Sequence, residues 1–174
     1  SMNSISNLAK LQLKLIDKKI DILIISRTDE FLNEYISQYA ERLFFITNFS
    51  GSAGRAIVFQ NKAFLYVDGR YTFQANEQTN PNEVMVRHLN SFWEDLNNYI
   101  SEKKHNIAID PRLHSIKEIK KIKNIISNTL SNINILETNI IDSIWTNKPK
   151  IEYSSVFDHP VIYAGLDRIK KLDD

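Results

Sequence analysis

The stretch NFSGSAGRAIVF (residues 48–59) holds two of the four glycines of this 174-residue chain, with only small residues between them. It is either a loop that cradles a phosphate or a tight corner between two strands. A P-loop needs a lysine and a following helix, but here Gly54 is followed by Arg55 and a strand-like apolar run. The dinucleotide-binding fingerprint fails as well, because a strand–turn–helix context is missing. We therefore predict a strand-to-strand corner, where glycine supplies positive φ or close backbone approach.

The rest of the chain alternates between helical and strand-like patterns. Helices are predicted where apolar or helix-tolerant residues recur at helical spacing, at residues 8–16 behind a Ser6 or Asn7 cap, 72–79, 91–101 and 115–130. Strands are predicted for the apolar and β-branched runs at residues 21–26, 42–49, 56–59, 63–67, 83–89, 106–110 and 133–137, with a hairpin turn at residues 60–62. This order predicts an α/β fold, with a mixed central β-sheet flanked by helices.

Composition narrows the possible classes of function. The chain carries 22 basic and 21 acidic residues, so its charge does not point to nucleic acid or anionic lipid as a partner. It has no cysteine, which excludes disulfides, cysteine-ligated zinc and thiol catalysis. No window is apolar enough to span a membrane, and the N-terminus lacks the pattern of a signal peptide. We expect a cytoplasmic protein.

A change in composition after Trp145 predicts the end of the first domain. We expect residues 1–150 to form one domain, and residues 151–174 to be a linker with the start of a truncated second domain. The stretch TNKPKIEYSSVFDHPVIYAG (residues 146–165) has two prolines and little periodicity, and the final LDRIKKLDD is typical of the first turns of a helix. We expect the native protein to continue beyond this segment.

Arg70, in the segment VDGRY (residues 67–71), is the clearest single candidate for a ligand contact. Asp68 and Gly69 form a turn signal after a predicted strand. Arg70 is then expected at the carboxyl end of that strand, where open α/β sheets bind ligands. A structural ion pair with Asp68 is the competing explanation. The residue types by themselves favour the ion pair, because a lone arginine seldom identifies a site.

No complete catalytic or metal-binding set is visible among the other polar residues. The histidines lack H-x-H or H-x-x-x-H spacing, and we expect them to be surface or incidental residues. They are His88, His105, His114 and His159. Adjacent acidic pairs, at residues 29–30, 94–95 and 173–174, are poor metal clamps because neighbouring side chains on a helix point in different directions. A G-x-S-x-G nucleophile elbow is also missing.

Several motifs together resemble the creatinase-type N-terminal domain of Xaa-Pro aminopeptidases (aminopeptidase P). In that family an arginine-led strand runs into a G-F-[TDS]-G-S-A-G-x-A turn, and a strand ending in D-G-R-Y-x-x-Q-A follows. The counterparts here are RLFFITNFSGSAGRA (residues 42–56) and DGRYTFQA (residues 68–75). Three further segments of this chain resemble the segments that flank these motifs in the family. They are DEFLNEYIS (29–37), IAIDPRLHS (107–115) and NIIDSIWTNKPK (139–150). The resemblance therefore covers nearly the whole chain, in order.

Two residues depart from the family pattern. Asn48 stands where the family usually has glycine, and asparagine is the side chain that best tolerates an unusual backbone conformation. Ala108 replaces a glycine inside a predicted strand, where we expect it to be harmless. Neither departure touches Arg70.

The resemblance implies a ribonuclease-H-like mixed α/β domain that does not itself catalyse a reaction. The parent enzymes remove the N-terminal residue that precedes proline, using two divalent metals, usually manganese, in a C-terminal domain outside this chain. In relatives the N-terminal domain helps to wall the substrate cleft and to form a homodimer, and the DGRY arginine contributes to substrate binding. By this resemblance Arg70 is the one substrate-binding residue, and no catalytic residue, metal ligand or cofactor is expected in the chain itself.

Two alternatives stay open on the sequence. The chain is a stand-alone binding or assembly module without a catalytic domain, or it is the N-terminal domain of a creatinase-like amidinohydrolase, which shares the fold. The N-K-P-K exit and the V-I-Y-A-G tail fit aminopeptidase P better than an amidinohydrolase. The gene sequence beyond Asp174 separates the first alternative from the aminopeptidase, because metal ligands there would support the enzyme and a stop codon would support the module.

Overall fold

The computed structural model describes residues 5–27, 41–51 and 54–146, and a six-stranded sheet with helices on both faces forms its centre. The strands are β1 (Ile22–Arg27), β2 (Gly54–Phe59), β3 (Ala63–Val67), β4 (Val84–His88), β5 (Asn106–Ile109) and β6 (Asn132–Ile135). The helices are α1 (Asn7–Asp17), α2 (Arg42–Thr47), α3 (Thr72–Gln78), α4 (Phe92–Glu102) and α5 (Ile116–Ser127). Short 3-10 turns occupy Gly69–Tyr71, Leu89–Ser91 and Pro111–Leu113.

The strand order across the sheet is β4-β3-β2-β1-β5-β6. β2 runs antiparallel to both β1 and β3, whereas the other neighbouring pairs are parallel. The carboxyl ends of β1, β3, β4, β5 and β6 therefore share one edge with the amino end of β2, and we call this edge the carboxyl edge. The mixed sheet flanked by helices that the sequence predicts is confirmed.

Alternating side chains of the strands build two apolar layers, because successive residues of a strand point to opposite faces. Helices α1, α2 and α3 pack on one face, and α4 and α5 cover the other. Buried residues of the first layer include Leu11, Leu23, Leu43, Val58 and Ala75. Buried residues of the second layer include Ile24, Phe92, Leu96, Ile107 and Ile122.

The predicted strand at residues 42–49 is wrong, because this segment forms helix α2. Its aromatic and β-branched residues favour a strand by intrinsic propensity. In the folded chain Leu43, Ile46 and Thr47 are buried at helical spacing, and the helix packs against α1 and the sheet. Phe44, on the outer side, stays 41% exposed. Tertiary packing therefore overrides propensity in this short element.

The glycine-containing segment connects helix α2 to strand β2. The predicted strand-to-strand corner is therefore wrong, and the corner is helix-to-strand. Asn48 ends the helix in the left-handed conformation, with φ 68° and ψ 5°. Its N–H donates to the Phe44 carbonyl at 2.7 Å. Asparagine adopts this conformation more readily than most side chains. The expectation that the backbone tolerates asparagine at this position is therefore confirmed.

The remaining predicted elements are confirmed within the described ranges, apart from small shifts of their ends. Ser6 caps α1, its Oγ accepting from the Ala9 N–H at 3.0 Å. The turn at residues 60–62 joins the antiparallel strands β2 and β3, and the lysines of α5 face solvent while its isoleucines pack inward. Residues 28–40 and the predicted linker at residues 151–174 lie outside the described residues, so the domain boundary at residue 150 stays a prediction.

The helices of the described ranges are short relative to a lipid bilayer. The longest, α5, has 12 residues, and none of the described helices combines the length and apolarity that crossing a membrane requires.

An ion pair joins helix α2 to residues 140–145, near the C-terminal end of the described ranges. Arg42 donates from Nε and Nη2 to the two carboxylate oxygens of Asp142, each at 2.9 Å. The Arg42 side chain is only 6% exposed. Alongside, the rings of Phe45 and Trp145 stack with their centroids 4.7 Å apart. Because a two-bond arginine–carboxylate contact fixes orientation as well as adding energy, it sets how residues 140–145 approach α2.

Replacing Asp142 by alanine is expected to destabilise the fold, because it leaves the buried Arg42 guanidinium without its carboxylate. Removing one partner of a buried pair costs about 3 kcal/mol in the free energy of unfolding. We expect a little less here, since Asp142 is 29% exposed. Chemical denaturation followed by circular dichroism measures the change. The exposed Glu77 of α3 provides the control, because Glu77→Gln should change the free energy by less than about 0.5 kcal/mol. Equal effects of the two substitutions would contradict the role of the pair.

Candidate functional site

The candidate site lies at the carboxyl edge, where β3 leads into the turn that carries Arg70. Asp68 follows the last residue of β3 and caps the 3-10 turn Gly69–Tyr71, its Oδ1 accepting from the Arg70 N–H at 3.0 Å. Helix α3 continues directly from this turn at Thr72. The predicted position of Arg70, at the carboxyl end of a strand, is therefore confirmed.

The loop that follows α2 is hydrogen-bonded to α3. The Ser50 N–H donates to Gln78 Oε1 at 2.9 Å, and Gln78 Nε2 donates back to Ser50 Oγ at 2.7 Å. Gln74, which belongs to the DGRYTFQA segment, also donates to Ser50 Oγ, at 3.1 Å. The two segments that carry the family resemblance are thus bonded to each other in the folded chain. Their linked occurrence in the sequence has a structural reason.

The buried ring of Phe49 explains the glycines of the same loop. Phe49 is fully buried, and a Cβ at Gly51 would overlap its ring. A Cβ at Gly54 would lie 3.1 Å from Leu43 Cδ2 and 3.3 Å from the Phe49 ring. No glycine among the described residues has positive φ. Of the two predicted reasons for glycine, close backbone approach is therefore the one that applies in these ranges.

Arg70 is largely exposed at this edge, with 77% of its side chain open to solvent. Its Nε pairs with Asp68 Oδ1 at 3.2 Å, and its guanidinium carbon lies 5.4 Å from the centroid of the Tyr71 ring. Hydrogen bonds from the Arg70 backbone N–H and then from its guanidinium hold the pKa of Asp68 below its ordinary value, so the carboxylate stays ionised. The predicted ion pair is confirmed. Within the described ranges it leaves the two terminal nitrogens of Arg70 without a hydrogen-bond partner.

His88 ends β4, the strand beside β3, and lies against the same turn. The strand register places it next to Val67. Its Nε2 lies 3.4 Å from the position that a Cβ of Gly69 would take. Its Nδ1 accepts from the Asn90 N–H at 3.0 Å. The imidazole is exposed, which confirms the expectation of a surface residue at this one position.

The histidines are predicted to be surface or incidental residues, and a surface position is wrong for His105 and His114, which are buried. His114 Nδ1 lies 3.4 Å from Glu118 Oε1, and Arg55 Nε lies 3.6 Å from the same oxygen. Burial by itself would raise the pKa of Glu118. The contact with His114 and the positive charge of Arg55 outweigh burial, and the pKa of Glu118 is lowered. This cluster is enclosed by packing and is not an open site. His159 lies outside the described residues.

Two local sequence patterns indicate this buried cluster, although the spacing of the histidines alone does not. Ser115 caps α5, its Oγ accepting from the Glu118 N–H at 3.1 Å, and S-x-x-E is the pattern of a capping box. His114 and Glu118 are four residues apart, and Glu118 lies on the side of α5 that buries Ile119 and Ile122. A carboxylate on the buried face of an amphipathic helix needs a partner, and His114 has the spacing to be one.

The adjacent acidic residues 94 and 95 lie in different surroundings, as predicted for neighbouring side chains on a helix. Asp95 accepts from the Tyr66 hydroxyl at 2.7 Å and from Arg87 Nε at 2.6 Å. Burial and then the contact with Asp95 raise the pKa of Tyr66, so its hydroxyl stays a donor. Glu94 is exposed. The other two acidic pairs lie outside the described residues, and in the ranges described no three His, Asp or Glu side chains converge to hold a metal ion.

Replacing Gly51 by alanine is expected to destabilise the chain by about 2 kcal/mol, because the new methyl group overlaps the buried Phe49 ring. Gly69→Ala is the matched control. Its Cβ would meet His88 Nε2 at an ordinary contact distance of 3.4 Å, so the free energy of unfolding should change by less than about 0.5 kcal/mol. Thermal and chemical denaturation measure both values. A Gly51→Ala variant as stable as Gly69→Ala would show that the loop does not need this close approach.

Most of the chain matches one known protein family. The profile of the Creatinase/Prolidase N-terminal domain family matches residues 7–142. The chain is also 32% identical over 171 residues to a probable Xaa-Pro aminopeptidase P of Coccidioides posadasii (strain C735), across 96% of this chain and 26% of that protein. The resemblance drawn from the sequence motifs is confirmed by these matches.

Solved structures share the fold. An X-prolyl aminopeptidase from Caenorhabditis elegans, described as a cytosolic enzyme with a di-nuclear active site, matches with a TM-score of 0.72 and 25% identity, over 84% of this chain and 26% of that one. The N-terminal domain of the cytoplasmic peptidase PepQ from Mycobacterium tuberculosis H37Rv matches with a TM-score of 0.58 and 20% identity, over 79% of this chain and 97% of that one. The chain spans about a quarter of the length of the Coccidioides and Caenorhabditis proteins that it matches.

Proposed function

Since the chain belongs to the Creatinase/Prolidase N-terminal domain family, we propose that it is the non-catalytic N-terminal domain of a metal-dependent Xaa-Pro aminopeptidase. The similarity to a probable Xaa-Pro aminopeptidase P along 96% of the chain supports this choice of parent enzyme. In this proposal the parent removes the N-terminal residue that precedes proline, and the present domain frames the cleft in which the peptide binds.

The proposal assigns no metal-dependent step to this chain. The Caenorhabditis relative is described as having a di-nuclear active site. The described residues here provide no group of three potential ligands for even one metal ion. We therefore propose that two divalent metals, manganese by resemblance, are bound by a C-terminal domain outside these 174 residues.

The family resemblance also suggests how this domain is placed in the parent protein. We propose that residues 1–150 form the domain and that residues 151–174 lead into a second one. We also propose a cytoplasmic homodimer, in which the N-terminal domain contributes to the dimer. The description of the Caenorhabditis relative as a cytosolic enzyme supports the proposed location.

Arg70 carries the proposed role of the domain, which is to bind the peptide at the wall of the cleft. The observation that supports this role is the geometry of its guanidinium. Asp68 accepts from Nε, while the side chain is 77% exposed and its two terminal nitrogens have no hydrogen-bond partner in the described ranges. A guanidinium presents such donors as a planar fork that fits a peptide carbonyl or carboxylate, which a lysine would bind only as a point charge.

Replacing Arg70 by alanine in the full-length protein is expected to lower kcat/KM for a short Xaa-Pro peptide by about tenfold, the value of one charge-assisted hydrogen bond. Arg70→Lys should fall between wild type and alanine, since it keeps the charge but loses the fork. Steady-state kinetics with manganese present measures both. The exposed Lys123 of α5 provides the control, because Lys123→Ala removes the same charge far from the carboxyl edge. Unchanged kcat/KM in Arg70→Ala would remove the proposed role of this residue.

The isolated 174-residue chain is expected to show no hydrolysis of an Xaa-Pro peptide, with or without added manganese. The reason is that the proposed metal site belongs to another domain. Release of the N-terminal residue, followed by chromatography over a long incubation, checks this expectation against the full-length protein as positive control. Metal-dependent turnover by the chain alone would contradict the non-catalytic assignment.

A further inference from the structure

His88 ends β4 at the carboxyl edge, and the turn that carries Arg70 follows the neighbouring strand β3. β3 and β4 are parallel with Val67 beside His88, so the turn that carries Arg70 begins level with the end of β4. His88 Nε2 lies 3.4 Å from the position that a Cβ of Gly69 would take, which is an ordinary contact distance. His88 therefore borders the residue that immediately precedes Arg70.

The hydrogen bonding of His88 determines which nitrogen is free. Nδ1 accepts from the Asn90 N–H at 3.0 Å and so caps the 3-10 turn Leu89–Ser91. Because Nδ1 is the acceptor, the neutral ring carries its proton on Nε2. The side chain is exposed, and within the described part of the chain this N–H has no hydrogen-bond acceptor. An oriented donor without a partner in these ranges thus lies against Gly69, the residue that precedes Arg70.

The charged residues next to His88 are already paired with other groups. Asp68 and Arg70, on the adjoining turn, form a pair with each other. The 3-10 turn that follows His88 contains no charged residue. Arg87, the preceding residue, is bound to Asp95. The imidazole therefore adds an N–H donor to a site whose nearest charges are already paired.

We propose that His88 is a second peptide-contacting residue, which donates from Nε2 to the same oxygen group that Arg70 binds. The ligand is a carboxylate or carbonyl oxygen of the bound peptide. This inference rests on the proposed function, and it deepens that function by adding a residue and naming the chemical group that is recognised. Two donors from adjacent strands hold a planar oxygen group in one orientation, which one exposed arginine does less well.

Capping alone does not explain histidine at this position. The cap uses only Nδ1, and the Oδ1 atom of an asparagine would serve equally well at the start of such a turn. What asparagine lacks is a donor at the position of Nε2. Glutamine has the opposite property, because its amide reaches the position of Nε2 but leaves the Asn90 N–H without its acceptor. The two substitutions therefore separate the capping role from the binding role.

The test compares His88→Asn and His88→Gln in the full-length, metal-loaded protein. We expect His88→Asn to raise KM for a short Xaa-Pro peptide about fivefold with kcat unchanged, because one exposed hydrogen bond is lost. His88→Gln should keep KM within about twofold of wild type, since it retains the donor. The effect on thermal stability should be the opposite. His88→Gln should have the lower melting temperature, because it loses the acceptor for the Asn90 N–H. Each substrate is assayed as the free acid and as its C-terminal amide. An effect confined to the acid identifies the carboxylate, and an effect on both identifies a carbonyl.

Arg70→Ala, measured in parallel, separates failure of this inference from failure of the proposed function. If Arg70→Ala lowers kcat/KM while His88→Asn leaves KM at the wild-type value, His88 is not a peptide contact and the proposed function stands. A KM that rises in His88→Gln but not in His88→Asn would also overturn the inference. Peptide binding would then depend on the cap of the Asn90 N–H and not on the donor at Nε2. If His88→Asn raises KM while Arg70→Ala has no effect, the two residues do not bind one oxygen group, and both the role of Arg70 and this inference fail.

Discussion

The burial of the Phe49 ring is the constraint on which the arrangement of the carboxyl edge depends. The ring is fully buried, and the backbone passes so close to it that a Cβ at Gly51 would overlap it. The same ring meets Tyr71 edge-on, with the centroids 6.1 Å apart. The end of α2, the start of β2 and the turn that carries Arg70 therefore share one packing centre. The turn that carries Arg70 is therefore anchored by the packing of Tyr71 on Phe49.

The charged groups of the domain divide by exposure into structural pairs and possible ligand contacts. The Arg42–Asp142 pair joins α2 to residues 140–145, and Glu118 contacts both the nearby His114 and Arg55 of β2. Arg70 is held at one nitrogen and leaves the rest of its donors in solvent. A side chain that is fixed at its base loses less conformational freedom when a ligand binds its tip. This combination of a fixed base and a free tip distinguishes Arg70 from the other described arginines that form pairs.

Much of the fold could be predicted from the sequence because the relevant patterns are local. The apolar spacing of α1 and α5 and the β-branched runs of β1, β2 and β3 each lie within one element. Helix α2 could not be predicted in this way. Its six residues include Phe44 and Phe45, which favour a strand by propensity, and its helical burial depends on contacts with α1 and the sheet. The order of the strands also depends on pairing between segments that are distant in the chain, such as β1 with β5.

For the candidate site, the amino-acid order was sufficient to place Arg70 after a strand, because a turn signal directly after an apolar run is local. The expectation for Asn48 came from the family resemblance, since the family usually has glycine at that position. The same order could not show that His114 is buried against Glu118. It also could not show that His88 lies beside Gly69, since this contact arises from the parallel pairing of β3 with β4. Burial and adjacency of polar groups are properties of packed elements, so they emerge only when the sheet and its helices are assembled.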